Sequence, residues 1–192
     1  MKKLIVAVTG TPGTGKSTFA RELAKRLESC RVIEINDVVT RRRLYSRSDG
    51  FGSRIVRIKE LDAAMKEEIK KADAKIVIVV GHLVPDLRIR FDIVVVLRTG
   101  LAELAARLEK RAYPKGKIKE NLISEAVDYC GTLSRENCDS TYEAESDGER
   151  RKMISYIRDV SMGIKAKEPE KKGMEKLHEL LELIKKGNEY GL

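Results

Sequence analysis

The most specific chemical pattern in the sequence is the segment Gly10–Ser17, which reads Gly-Thr-Pro-Gly-Thr-Gly-Lys-Ser. It matches GxxxxGK[ST], in which glycines let backbone N–H groups converge on phosphate oxygens, the lysine neutralises the β- and γ-phosphates, and the hydroxyl binds magnesium. The segment follows the apolar run Leu4–Val8 and precedes an amphipathic helical pattern, which is the context that this motif requires. We therefore predict a P-loop site for a nucleoside triphosphate, with Lys16 catalytic and Ser17 binding Mg²⁺.

Two arginines, Arg107 and Arg111, stand one helical turn apart at the end of another apolar helical pattern. Both can project to one side, towards the short basic loop Tyr113–Lys117 that follows. Phosphoryl transfer depends on neutralising the charge of the moving group, and arginines beside a mobile loop are suited to that task. The alternative is a solvated helix face with an incidental basic end. Because the guanine-specifying sequence NKxD is absent, a kinase or an ATPase is favoured over a GTPase.

A histidine, His82, lies just beyond the apolar run Ile76–Val80. In open α/β folds ligands bind at the carboxyl ends of the strands, so His82 is placed to orient a water molecule or a phosphate. The alternative is a hydrogen-bonded structural histidine, which is common at strand ends.

The run Arg41–Arg43, followed by Arg47, Arg54 and Arg57, holds more arginines than one phosphate requires. It fits a clamp on a phosphate, contact with an RNA backbone, or a solvated helix face. Specific base recognition is not favoured, because few aromatic residues accompany these arginines.

The segments that must position these residues alternate between strand-like and helix-like patterns of apolar residues. Short β-branched runs predict strands covered on both faces, as in a parallel sheet, at Leu4–Val8, Val32–Ile35, Ile76–Val80 and Ile93–Leu97, with a weaker strand near 140–144. Helical patterns lie between them at 19–27, 61–69, 101–108 and 118–130, and further helices are predicted near 149–160 and 174–186. In the last helix the stripe Met174, Leu177, Leu181 and Ile184 is interpreted as core packing. This alternation predicts an α/β fold.

The length of 192 residues with 42% hydrophobic residues suits a single domain, residues 1–192, with a core that needs neither disulfides nor a structural metal. Cys30, Cys130 and Cys138 form no CxxC pair and are interpreted as buried free thiols. No apolar run approaches the roughly 20 residues that span a bilayer, so we expect a soluble, cytoplasmic protein without membrane contact. The net charge of +9 favours polyanionic partners such as nucleotides or RNA, although a highly charged surface also suits an organism that lives in heat.

Beyond the P-loop, several short segments resemble one family. They are Asn36-Asp37, Gly81-His82, Leu97-Arg98-Thr99, Arg107–Tyr113 and Lys117–Asn121. Together they resemble the atypical adenylate kinases of the coilin-interacting nuclear ATPase type, in their archaeal form. The resemblance runs over residues 1–148, and the stretch rich in arginine, tyrosine and lysine is its most specific part.

The resemblance implies a P-loop fold with a five-stranded parallel sheet flanked by helices, a nucleoside-monophosphate-binding segment at about 36–56 and a short lid at about 112–117. It implies transfer of the γ-phosphate of ATP to AMP with Mg²⁺, hydrolysis of ATP, and a role in maturation of the small ribosomal subunit and its rRNA through a ribosomal protein. The residues expected to hold the ATP phosphates are Gly13, Thr14, Gly15, Lys16, Ser17 and Thr18. Arg111 is expected to be the lid arginine facing ATP, and Arg107 to neutralise the transferred phosphoryl group. Asp37 and Arg41 are expected at the monophosphate site.

The sequence departs from the family's pattern in three places. At the end of the third strand Val80-Gly81-His82 replaces Asp-x-His, so the carboxylate that would hold magnesium through water is missing, and Glu34 or Asp37 would have to supply it. Thr40 stands where an arginine is expected, which leaves Arg41, Arg42 or Arg43 as the clamp. Ala112 replaces the usual glycine before the lid tyrosine.

Three functions are consistent with these observations. The first is a nucleoside-monophosphate kinase that uses ATP and AMP or another monophosphate. The second is a nucleotide-gated ribosome assembly ATPase with slow or vestigial kinase activity, which the missing carboxylate and the surplus arginines favour. The third is another small-molecule P-loop kinase.

Overall fold

The computed structural model describes residues 3–48, 54–171 and 176–185. Its strands are β1 (Leu4–Thr9), β2 (Cys30–Glu34), β3 (Tyr45–Ser48), β4 (Arg54–Val56), β5 (Ile76–Val80), β6 (Ile93–Leu97) and β7 (Thr141–Ala144). Five of them form a parallel sheet in the order β2-β5-β1-β6-β7, and β3 pairs with β4 in a separate antiparallel hairpin. The predicted parallel five-stranded sheet is confirmed, with strand ends within two residues of those expected.

The helices are α1 (Lys16–Ala24), α2 (Ile35–Arg41), α3 (Ile58–Lys71), α4 (Leu101–Lys110), α5 (Lys115–Ala126), α6 (Tyr129–Asn137), α7 (Asp147–Ser161) and α8 (Leu177–Lys185). Within the described residues, none of these helices is long and apolar enough to cross a membrane. Helices cover both faces of the sheet, so strands β5 and β6 are buried along their whole length.

Side chains on the two faces of the sheet enter separate cores. On one face, Leu61 and Met65 of α3 pack against Val77 and Val79 of β5. On the other, Phe19 and Leu23 of α1 pack with Met153 and Ile157 of α7. A third cluster joins α4 and α5 through Leu104, Leu108, Ile118 and Leu122. This arrangement sets the carboxyl ends of all five parallel strands at one edge, where the phosphate loop also lies.

The apolar stripe at 118–130 is not one helix. It divides into α5 and α6 at Asp128, whose φ of 51° is left-handed. The Asp128 carboxylate is buried and paired with Arg98 and Arg135, so a buried ionic contact between three segments determines where the helix breaks. A periodicity of apolar residues carries no information about such a contact.

Two predicted segments differ in extent from their expected ranges. The lid range 112–117 overlaps helix α5, which begins at Lys115, so residues 111–114 form the non-helical connection. The segment 36–56 contains most of α2 and the β3–β4 hairpin, and its residues 49–53 lie outside the described part of the chain.

The predicted core stripe of the last helix is wrong for two of its members. Leu181 and Ile184 are exposed, whereas Leu180 and Leu183 pack against the α4–α5 cluster. Met174 and the side chain of Leu177 lie outside what the structure describes. The stripe is therefore rotated by about one residue from the face that the spacing suggested.

Candidate active site

The phosphate loop, residues 10–17, connects β1 to α1 at the carboxyl edge of the sheet. Gly10 has a φ of 130°, and a Cβ added there would lie 2.3 Å from the carbonyl oxygen of Leu97. Gly13 has a φ of 102°, and a Cβ there would meet Leu104 of α4 at 2.8 Å. Both positions therefore need glycine. The loop turns directly into the N-terminus of α1, whose free N–H groups favour an anion.

Lys16 folds over this loop and is held by its backbone. Its Nζ donates to the carbonyl oxygens of Gly10 and Thr11 at 2.7 and 2.8 Å. Burial is the largest cause that lowers the pKa of Lys16 from 10.5 to about 8; the charge of Arg111 acts in the same direction, whereas Cys130, Glu125 and Glu34 oppose the shift. Lys16 is thus largely protonated at neutral pH and positioned to meet phosphate oxygens.

The two arginines predicted to act together do lie beside the loop. Nη1 of Arg107 donates to the carbonyl oxygen of Gly13 at 3.1 Å, and its Nη2 pairs with Glu103 at 2.5 Å. Arg111 caps the C-terminus of α4, close enough to Lys16 for its charge to lower the lysine pKa. Lys16, Arg107 and Arg111 thus bring three positive charges to one site, which can stabilise a migrating phosphoryl group.

A third arginine, which sequence reasoning missed, approaches from the opposite side. Nη2 of Arg150, in the first turn of α7, donates to the carbonyl oxygens of Thr14 and Arg98 at 3.3 and 3.2 Å. A Cβ on Gly15 would lie 3.6 Å from Nη1 of the same side chain. Arg150 therefore lies beside the phosphate loop at the N-terminus of α1, the end of a helix that favours anions. No sequence pattern distinguishes it from its neighbour Arg151.

Two cavities flank the phosphate loop. The larger, about 670 Å³, lies between α1 and α7 and is lined by Gly15, Thr18 and Arg150 among others. The smaller, about 370 Å³, contains Thr11 and Pro12 of the loop, with His82 and Lys117 opposite. Residues of the same loop thus line two separate spaces.

His82 lies in the smaller cavity and is uncharged at neutral pH. Burial lowers its pKa to about 4, and the positive charges of Lys16 and Lys117 act in the same direction. A neutral imidazole can accept a hydrogen bond on one nitrogen and donate from the other. His82 is therefore suited to orient a ligand, and unsuited to supply a positive charge.

Asp37 and Arg41 are not brought into that cavity. Both line a different space, about 420 Å³, beside the edge strand β2. There Arg41 pairs with Glu68 of α3 at 2.8 Å. Neighbouring arginines are paired in the same way, Arg42 with Glu67 and Glu68, and Arg57 with Glu60. In this conformation the arginine run fastens α2 and the hairpin to α3; the side chains of Arg47 and Arg54 lie outside the described part.

The residues available for Mg²⁺ are hard oxygen donors, as this ion prefers. The Ser17 side chain is exposed at the start of α1. Glu34, at the carboxyl end of β2, is near enough to Lys16 to raise its pKa. Val80, which replaces the expected acid, is buried in the sheet. In residues 3–48, 54–171 and 176–185 no group of three or more His, Cys, Asp or Glu side chains is arranged to hold a metal ion.

Comparison with known proteins places this chain in a family. The family model described as an AAA domain matches residues 6–128. Curated archaeal proteins with the name "Putative adenylate kinase" are similar over most of their length. The protein of Methanosarcina acetivorans is 33% identical, over 76% of this chain and 78% of its own. The protein of Methanocaldococcus jannaschii is 32% identical, over 88% and 90%.

The chain belongs to the family of these archaeal proteins named "Putative adenylate kinase". The Pyrococcus furiosus member, also named "Putative adenylate kinase", is 30% identical and covers 84% of this chain and 87% of its own. Membership makes the chain an enzyme of the nucleoside-monophosphate-kinase type, as the sequence predicted.

Solved structures agree with this family at the level of the fold. TT1252 from Thermus thermophilus superposes with a TM-score of 0.57 at 16% identity, over 86% of this chain and all of its own. Shikimate kinase from Acinetobacter baumannii, in complex with shikimate, gives a TM-score of 0.57 at 17% identity, over 86% and 96%. At such identities the likeness concerns the P-loop α/β fold alone.

Proposed function

We propose that this protein, like its archaeal relatives named for adenylate kinase, transfers the γ-phosphoryl group of ATP to a nucleoside monophosphate, with AMP as its first acceptor. The observation that carries the proposal is the position of the phosphate loop between two cavities: Gly15 and Thr18 line one, and Thr11 and Pro12 line the other. Lys16 and Arg107 both donate to carbonyls of that loop. A donor in the larger cavity and an acceptor in the smaller would place the migrating group beside these charges.

Each side chain then has a definite task. The backbone of Gly13, Thr14 and Gly15 and the hydroxyls of Ser17 and Thr18 bind the phosphates of ATP, while Lys16, Arg107 and Arg111 neutralise charge that develops on the transferred group. Ser17 and Glu34 would hold Mg²⁺, which neutralises charge on the β- and γ-phosphates when it is bound. Neutral His82 orients the acceptor.

The remaining segments are assigned by position. We assign residues 36–56 to monophosphate binding and the connection around 112–117 to the lid, within one kinase domain of residues 1–192. Because Arg41 is paired with Glu68, this assignment requires the segment to shift before Arg41 can clamp an acceptor phosphate. Asp37 lies on the same helix and would move with it.

The test is ADP formation by the purified protein with ATP and Mg²⁺, alone and with AMP, CMP, GMP or UMP. The proposal expects strong stimulation by AMP, and loss of turnover in Lys16→Ala. Turnover that no monophosphate stimulates would refute it and favour a kinase for another small molecule. A Lys16→Ala variant with the wild-type rate would refute the assignment of the site.

A second candidate is a nucleotide-gated ATPase that assists maturation of the small ribosomal subunit and its 16S rRNA, as the resemblance to the coilin-interacting nuclear ATPase type suggests. Two observations favour it: the net charge of +9, which suits RNA, and buried Val80 in place of the acid that would serve phosphoryl chemistry. It predicts that a small-subunit ribosomal protein or rRNA binds with an affinity that ATP changes. Binding that is absent or indifferent to nucleotide would contradict it.

A further inference from the structure

A cluster of ionic side chains, buried except for Arg135, lies directly behind the phosphate loop. We define it by five residues from the end of β6 to β7, namely Arg98, Glu125, Asp128, Arg135 and Glu143. Arg98 pairs with Asp128 and, at 3.0 Å, with Glu125, and all three side chains are almost fully buried. Arg135 pairs with Asp128 at 2.6 Å and with Glu143.

The cluster contains one carboxylate more than its guanidinium groups can neutralise. Arg98 and Arg135 supply two positive charges against the three acids Glu125, Asp128 and Glu143. Burial raises the pKa of Glu143, which relieves part of the imbalance. The rest of the excess negative charge can be balanced by a cation outside the cluster, and Lys16 is close enough for Glu125 to raise its pKa.

Glu125 is the member that touches the phosphate loop. Its Oε2 accepts a hydrogen bond from the Thr11 hydroxyl at 2.5 Å, and its Oε1 accepts from the Thr99 N–H at 3.3 Å. The carbonyl oxygen of Thr11 in turn accepts from Lys16 Nζ at 2.8 Å. A continuous chain of contacts therefore joins α5, the helix that follows the lid connection, to the lysine of the nucleotide site.

We infer that Glu125 is a positioning residue of the nucleotide site, which fixes the phosphate loop, and through it Lys16, by its hydrogen bond with Thr11. The inference rests on the proposed binding of ATP at this loop, and needs no particular acceptor. No other contact described for the loop combines a buried carboxylate with a direct hydrogen bond to it.

The experiment compares Glu125→Ala, which removes the acceptor of the Thr11 hydrogen bond, with the wild-type protein in calorimetric binding of Mg²⁺ and a non-hydrolysable ATP analogue at neutral pH. We expect the variant to bind the analogue about tenfold more weakly. Glu136→Ala removes an exposed carboxylate of α6 and serves as the matched control, which should keep the wild-type affinity. Wild-type affinity in Glu125→Ala would overturn the inference.

A second pair of variants keeps the test decisive if Glu125→Ala does not fold. Thr11→Val removes the hydroxyl and leaves the carboxylate, so it should weaken binding of the analogue about tenfold. Thr11→Ser should restore binding. Wild-type affinity in Thr11→Val would overturn the positioning role. A protein whose variants show these losses of affinity but which forms no ADP from AMP would refute the proposed kinase and leave this inference standing.

Discussion

Arg107 of helix α4 donates a hydrogen bond from Nη1 to the carbonyl oxygen of Gly13, 3.1 Å away in the phosphate loop. The two residues are far apart in sequence, and Gly13 also packs under Leu104 and Leu108 of the same helix. The end of α4 and the phosphate loop therefore form one structural unit. The Arg107 guanidinium therefore contacts the phosphate loop while it stays beside the lid connection.

Substituting Arg107 tests its role in catalysis. We expect Arg107→Ala to lower kcat by about 10² to 10³-fold, with a smaller change in KM for ATP, because a preorganised charge acts mainly on the transition state. Steady-state ADP formation with ATP and AMP measures both constants. Glu103→Gln, which removes the partner of Nη2 and leaves the Gly13 contact, is the control. An Arg107→Ala enzyme with the wild-type kcat would contradict the assignment.

The pH dependence of acceptor use should contain no histidine titration near neutrality. Since the pKa of His82 is lowered to about 4, the imidazole stays neutral from pH 6 to 8 in the folded protein. We therefore expect His82 to cause no change in kcat/KM for AMP between pH 6 and 8. At pH values under about 5, kcat/KM should decrease as His82 gains a proton.

Two variants identify the group responsible. His82→Gln should lower kcat/KM and abolish the fall attributed to this side chain, whereas His178→Gln, at an exposed position on α8, should leave the profile unchanged. An inflection near pH 6.5 that disappears in His82→Gln would show that the buried, neutral state assigned to His82 is wrong.

Ala112 stands in a left-handed conformation, with a φ of 56°, between α4 and the lid connection. Glycine suits such a position better than alanine, since a left-handed residue other than glycine is strained. We expect Ala112→Gly to raise the free energy of unfolding by about 1 kcal/mol. Ala106→Gly, in the exposed interior of α4, should instead lower it by about 1 kcal/mol. Urea denaturation measures both, and equal destabilisation by the two variants would contradict the strain at Ala112.

Arg150 is expected to contribute to the binding of ATP and not to the binding of the acceptor monophosphate. Because its guanidinium borders Gly15 and donates to the Thr14 carbonyl, Arg150→Ala should weaken binding of an ATP analogue about tenfold. Binding of AMP should change little. Lys152→Ala, an exposed substitution on the same helix, is the matched control. Equal loss of AMP and ATP affinity in Arg150→Ala would show a general effect on folding.

Most of the sheet could be predicted because its strands are short β-branched runs that only a doubly covered parallel sheet accommodates. The break at Asp128 could not, because it depends on Arg98 and Arg135, which approach from other elements. The orientation of α8 was also missed: leucines and isoleucine occupy both sides of that helix, so spacing alone did not identify Leu180 and Leu183 as the buried pair.

The site was predictable where residues are neighbours in a motif or on one helix. Lys16 follows from the P-loop, and Arg107 and Arg111 from their spacing. The sequence gives a weak indication of Glu125, because this carboxylate stands three residues after Leu122 on an otherwise apolar face. It gives no indication of Arg150, because the role of that residue depends on the packing of α7 beside α1. Asp37 and Arg41 were assigned through the resemblance, and their place at the acceptor remains a prediction.

The most direct test of the central claim follows the phosphorus atom itself. ATP radiolabelled at the γ-phosphate is incubated with the enzyme and Mg²⁺, with and without AMP, and the label is separated into ADP and inorganic phosphate. We predict that with AMP the label appears in ADP, since the γ-phosphoryl group becomes the β-phosphate of the product formed from AMP. Label released only as inorganic phosphate, at the same rate with and without AMP, would contradict the kinase and identify a hydrolase.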